Sequence, residues 1–252
     1  MTRAAHRYAI YLTPAEPYRS FGAHWLGRDA DSSADSSADG ETSLPLPAGI
    51  AQRPAEWVEA PAHYALHATL KPPFRLADGM APAMLDRAVH DFVCGRTAFD
   101  APLTLRALRG FLAWCLDDAQ GPGGRQMHAL ADECVRAFDR FRAPPTAAEI
   151  ARRNPDRLSA AQREKLDAWG YPYLFDTFIF HITLTGMLNA EDEAAALAML
   201  SAASAKLLER PLHVDGISVF VQAEPGADFV AARHYRFDGT MVDGVGAAYL
   251  AA

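Results

Sequence analysis

Residues 65–71, Ala65-Leu66-His67-Ala68-Thr69-Leu70-Lys71, alternate apolar and polar side chains with a period of two. That is the pattern of a half-buried strand, with Leu66, Ala68 and Leu70 toward a core and His67, Thr69 and Lys71 on the opposite face. The stretch has an echo. Residues 174–185 repeat the alternation, with Phe178, Phe180, Ile182 and Leu184 on one face and Ile179, His181, Thr183 and Thr185 on the other. Both contain the tetrapeptide His-x-Thr-Leu. Because residues i and i+2 of a strand share a face, each copy presents an imidazole and a hydroxyl side by side.

Working outward, Arg7–Leu12 alternates Tyr8, Ile10 and Leu12, and 103–116 is apolar enough for two strands with Gly110 as a bulge or turn between them. Residues 212–222 and 229–237 predict a closing hairpin. Helical spacing predicts helices over 82–94 and 126–141. Thr146 with Glu149 and Ser159 with Gln162 are capping-box pairs, the second opening a helix that Gly170 closes. Asn189 precedes three acidic residues and caps another helix, with Lys206 and Arg210 near its end. The expected class is α+β with mostly antiparallel sheets.

The chain has 252 residues, 50% of them apolar, so one large core needs no staple. No apolar run reaches the ~20 residues of a membrane span. The N-terminus has only a short apolar stretch before Pro14, and no secretory leader is expected. Cys94, Cys115 and Cys134 form no CxxC pair, which predicts three small core thiols in a reduced cytoplasmic protein. The net charge is −7, and residues 29–43 hold five of the carboxylates and no base. That Ser/Asp-rich run is expected to be a flexible surface loop. The remainder is nearly neutral, which argues against a basic nucleic-acid face but leaves small anionic substrates open.

Histidine titrates near neutrality, so one imidazole can accept a proton while a second, protonated, donates one. Two histidines across a phosphate could therefore open a cyclic phosphodiester, with hydroxyls binding the non-bridging oxygens. Two unrelated half-buried histidines are the bland alternative. A metal site is the other, but neither motif contains an acidic ligand or HExxH spacing.

The paired motifs resemble the 2H phosphoesterase superfamily, which includes the RNA ligase-like 2′,5′ and cyclic-nucleotide phosphodiesterases. More of the chain, from RYAIYLTP (7–14) through HATLKPPFRL (67–76), FRAPPTAAEIARRNPDRLS (141–159) and WGYPYLFDTFIFHITLTG (169–186) to VFVQAEPGADF (219–229), resembles a bacterial branch associated with phosphonate metabolism, DUF1045. Two departures stand out: run 31–43 looks inserted, and Tyr64-Ala65-Leu66-His67 stands where that branch tends to have Tyr-Gly-Phe-His. The resemblance implies that residues 1–252 form a single two-lobed domain with pseudo-two-fold symmetry around a central cleft. It implies a metal-free phosphodiesterase of a small phosphorylated metabolite, such as ribosyl 1,2-cyclic phosphate or a 2′,3′-cyclic nucleotide; a monomer without cofactor is expected. His67 and His181 would be acid and base, in either order, and Thr69 and Thr183 would bind phosphate.

Lys71 and Arg75 are further candidates for phosphate binding, or else solvated rim charges. Arg152 and Arg153 either reach substrate or cover a helix. Tyr11, Tyr171 and Tyr173 line the cleft or pack, and Arg233 and His234 are similar. A different class remains open: a non-catalytic module that binds a phosphometabolite or an RNA 3′ end through the same four side chains, with no nucleic acid beyond a terminal nucleotide expected.

Overall fold

The computed structural model describes residues 4–32 and 44–251. In chain order the elements are β1 (Arg7–Leu12), α1 (Tyr18–Leu26), α2 (Glu59–Ala62), β2 (Ala68–Phe74), α3 (Pro82–Val93), β3 (Phe99–Ala101), β4 (Leu103–Leu108), β5 (Phe111–Leu116), α4 (Pro122–Phe138), α5 (Ala147–Ala151), α6 (Ala160–Trp169), β6 (His181–Thr183), α7 (Ala190–Leu208), β7 (Leu212–Val214), β8 (Gly216–Gln222), β9 (Phe229–Arg236) and β10 (Met241–Asp243). Eight strands form one sheet in the order β10-β9-β8-β1-β2-β6-β5-β4, and β3 pairs with β7 separately. All the pairings are antiparallel. The mixed helix and antiparallel-sheet class matches the expectation.

One row of cross-strand partners runs through the middle of the sheet: Leu12 opposite Ala68, Ala68 opposite Ile182, Ile182 opposite Trp114. All four are buried in the main core. Helix α4 packs against β2, α7 against β4 and β5, and α3 against β8 and β9. Removing this apolar face from water is the principal stabilising term of the fold.

The two capping boxes are present, closing the first turns of α5 and α6 through Thr146 and Ser159. Asn189 caps α7 by accepting from Asp192 N–H, and Gly170 ends α6 in the left-handed conformation at φ +74°. The turn between β4 and β5 uses Arg109 (φ 55°) and Gly110 (φ 95°), two positive φ values in a row, as a tight right-twisted hairpin requires.

Several expectations are corrected. Strand β2 begins at Ala68, not Ala65, which has a left-handed backbone at φ +54°, and it runs on through Pro72-Pro73 to Phe74. The second motif strand is only three residues long, and a 3-10 turn occupies Phe175–Thr177. Residues 212–214 pair with β3 and do not extend the β8–β9 hairpin. Cys94 is exposed, while Cys115 and Cys134 are buried. Of the expected flexible loop 29–43, residues 33–43 lie outside the described residues. Asp29 and Asp31 both pair with Arg19, and Asp31 also bonds His234.

Candidate functional site

The register decides the site. Ala68 stands opposite Ile182 in an antiparallel pair. Continuing that register sets Thr69 across from His181, and His67, the residue just before β2, across from Thr183. The four motif side chains thus form a square on one face of two neighbouring strands, related by a local two-fold through the Ala68–Ile182 pair. The histidines occupy a diagonal, a placement that sets backbones about 7–8 Å apart in an antiparallel pair.

Both imidazoles are held the same way. His67 Nδ1 lies 2.9 Å from the Ala65 carbonyl, and His181 Nδ1 lies 2.8 Å from the Ile179 carbonyl. A carbonyl only accepts, so each Nδ1 donates, and the neutral tautomer carries its lone pair on Nε2. Ala65 reaches this bond at φ +54°. The His67 ring also stacks on Tyr11, with centroids 3.9 Å apart and planes at 21°. Burial, with a smaller contribution from the neighbouring His181, pushes the His67 pKa down to about 4. Burial lowers His181 as well, helped by the charge of Arg109. Both rings are therefore neutral at pH 7 in the unliganded protein, and a bound anion would restore their basicity.

Beside His181 lies a cavity of about 210 Å³ whose walls include Thr69, Tyr173, Tyr171, Arg109 and Phe111. Tyr173 and Thr69 thus share a wall with His181. Tyr11 is buried beneath His67, so it positions that ring and does not face the cavity.

Lys71 and Arg75 are not brought to this square. The β1–β2 register slips between Ile10 and Tyr11, so Tyr11 opposes Thr69 but Ile10 opposes Lys71. This one-residue bulge turns Lys71 to the core face, away from Thr69. There its ammonium is buried and bonds Asp139 at 3.0 Å and the Val135 carbonyl at 3.4 Å. Arg75 lines a separate cavity and bonds Glu149 at 3.3 Å and the Pro144 carbonyl at 2.8 Å. Arg233 and His234 are likewise committed: Arg233 to Asp86 and Asp243, His234 to Ser218 and Asp31.

Sequence reasoning passed over Arg109 and Tyr64. Arg109 sits at the tip of the β4–β5 hairpin, 5.3 Å from the Tyr173 ring, and its charge acts on His181. The only signal was a cation beside Gly110 in a predicted turn. Tyr64 stands 6.1 Å from His67 between ring centroids. Among the described residues, no three His, Cys, Asp or Glu side chains cluster as a metal would need, and no helix is long and apolar enough to cross a membrane.

Residues 69–230 match a family described as "Protein of unknown function (DUF1045)". Two curated relatives are each named ribose 1,5-bisphosphate phosphokinase PhnN. The one from Janthinobacterium sp. (strain Marseille) is 34% identical over 241 residues, 92% of this chain and 51% of its own length. The one from Laribacter hongkongensis (strain HLHK9) is 34% identical over 231 residues, 90% of this chain and 51% of its own. The chain therefore spans about half the length of the curated relatives it matches.

Proposed function

The chain belongs to the DUF1045 family, and from that membership and the His/Thr square we propose that it is a metal-independent phosphodiesterase that opens a small cyclic phosphodiester. The observation that carries the reading is the register of Ala68 against Ile182, with both Nε2 atoms freed by Nδ1–carbonyl bonds. The same local two-fold supports the two-lobed 2H scheme for residues 1–252, the lobes meeting between β2 and β6.

In this mechanism neutral His67 accepts a proton from water at Nε2 as the water oxygen bonds to phosphorus. The ester bond on the opposite side breaks, and its electron pair leaves with the ring oxygen. That oxygen takes a proton from His181 Nε2–H. The products are a hydroxyl and a phosphomonoester, and solvent returns the proton from His67 to His181. His67 suits the base role because it is the ring held at about 4. His181 suits the acid role because it opens on the cavity. Thr69 and Thr183 hold the non-bridging oxygens, and Arg109 offsets the charge that builds there.

The relatives' name supports a ribose phosphate as the ligand class, and with it a ribosyl 1,2-cyclic phosphate of phosphonate use. Phosphotransfer from ATP is not part of the proposal. None of the three lysines, Lys71, Lys165 and Lys206, follows a glycine, so the chain has no GxxxxGK[ST] loop. The test is phosphorus NMR of ribose 1,2-cyclic phosphate and 2′,3′-cyclic nucleotides incubated with the protein and chelator. Ring opening is expected, with His67→Ala and His181→Ala each lowering kcat ~10²–10⁴-fold while remaining folded. Full activity in either variant, dependence on added metal, or binding without turnover would overturn it.

A further inference from the structure

A second cavity, of about 250 Å³, carries five arginines, Arg7, Arg75, Arg142, Arg152 and Arg153, against a single carboxylate, Glu149. Two of the five are already neutralised. Arg75 pairs with Glu149, and Arg142 with Asp139 at 2.8 Å. Arg7, Arg152 and Arg153 make no ion pair among the described residues. Neutral partners hold two of them instead. The Arg7 Nε donates to the Gln222 amide oxygen at 2.7 Å, and its guanidinium lies 5.5 Å from the Phe229 ring. The Arg153 guanidinium lies 4.6 Å from the Tyr171 ring. Such partners orient a cation without cancelling it. Like charges gathered in a concave wall repel one another, and an anion between them removes that cost.

The basin adjoins the reaction site. Its wall includes Tyr64, 6.1 Å from His67. Tyr171, which carries Arg153 on its ring, lines the cavity beside His181. Along β1, Arg7 and Tyr11 lie four residues apart on the face that bears His67 and Thr69. A small molecule whose cyclic diester lies between the histidines would extend past Tyr64 into the basin.

We propose that Arg7, Arg152 and Arg153 form a second anion subsite, which takes a phosphomonoester carried by the substrate at the end remote from its cyclic diester. This rests on the phosphodiesterase reading above and narrows its substrate class to doubly phosphorylated sugars or nucleosides. Guanidinium forks match the geometry of a phosphate dianion and can bind it in pairs. A polymer is a poorer fit, because the chain is acidic overall and the basin is one pocket, not a track.

The test compares ribose 1,2-cyclic phosphate with the same sugar bearing a 5-phosphate. A hydrogen bond to a charged phosphate is among the stronger ones, so the wild type should favour the 5-phosphorylated substrate by ~10–100-fold in kcat/KM. The Arg152→Gln/Arg153→Gln variant and Arg7→Gln should lose far more on that substrate than on the unphosphorylated one. Equal handling of the two sugars by the wild type, or equal losses in the variants, would overturn the subsite. If neither sugar is opened, the catalytic reading fails and calorimetry with ribose 5-phosphate decides the basin separately. Binding retained in His67→Ala and lost in Arg152→Gln/Arg153→Gln supports it; no binding to the wild type refutes it.

Discussion

Ala65 holds φ at +54°, a left-handed conformation that costs a residue with a Cβ about 1–2 kcal/mol. The return is a carbonyl aimed at His67 Nδ1, which leaves Nε2 as the acceptor. Glycine adopts this conformation without the Cβ clash. Ala65→Gly is therefore expected to keep or raise stability, by up to about 1 kcal/mol in urea unfolding, with activity retained. Ala65→Val should lower both, and a stability loss in the glycine variant would refute the strain argument. The histidines set the pH profile. The base works only when deprotonated, above about 4 for His67. The acid works only when protonated, and burial and Arg109 hold His181 below its usual 6.5. Hence kcat/KM should peak on the acid side of neutrality and fall between pH 6 and 8. The kcat profile should lie at higher pH, since bound phosphate stabilises both imidazolium forms. A kcat/KM flat from pH 5 to 8 would contradict the pair.

The bulge in β2 shows what an element can hide. Alternation from His67 puts Lys71 beside Thr69, but one extra residue against β1 turns it onto α4, where Asp139 and the Val135 carbonyl receive it. Lys71→Met should accordingly cost about 2–3 kcal/mol, below the usual loss for a broken buried pair because Asp139 keeps Arg142. KM for the cyclic phosphate should be unaffected; a rise in KM without a stability loss would return Lys71 to the site. Other elements were open to reading or closed to it for equally local reasons. The helices α5, α6 and α7 carry capping side chains and were legible. Helix α1 follows Pro17, which supplies no capping side chain, and was missed. Strands β3, β7 and β10, three residues each, are too short to display an alternation.

Across the whole molecule, burying two imidazoles links folding to pH. Their folded pKa values lie below the unfolded 6.5, so folding disfavours the protonated form. The stability associated with His67 is full above pH 6.5 and is lost as pH falls toward 4. Thermal unfolding at pH 7.5 and 4.5 should show a smaller acid loss for His67→Gln than for the wild type, by roughly 2–3 kcal/mol. Equal losses would mean that His67 is not desolvated. The sequence by itself determined the local facts: the period-two face of β1, the shared face of each His-x-Thr pair, the helix caps, a break at Gly110 and the identity of the four motif side chains. These follow from neighbours along the chain. Only the tertiary structure decided that β2 and β6 are adjacent and in the register that sets each histidine opposite the other motif's threonine. The same holds for the bulge that removes Lys71 and for the gathering of Arg7 with Arg152 and Arg153. Strand pairing joins segments far apart in sequence, and a one-residue slip exchanges the two faces, so no local pattern can encode it.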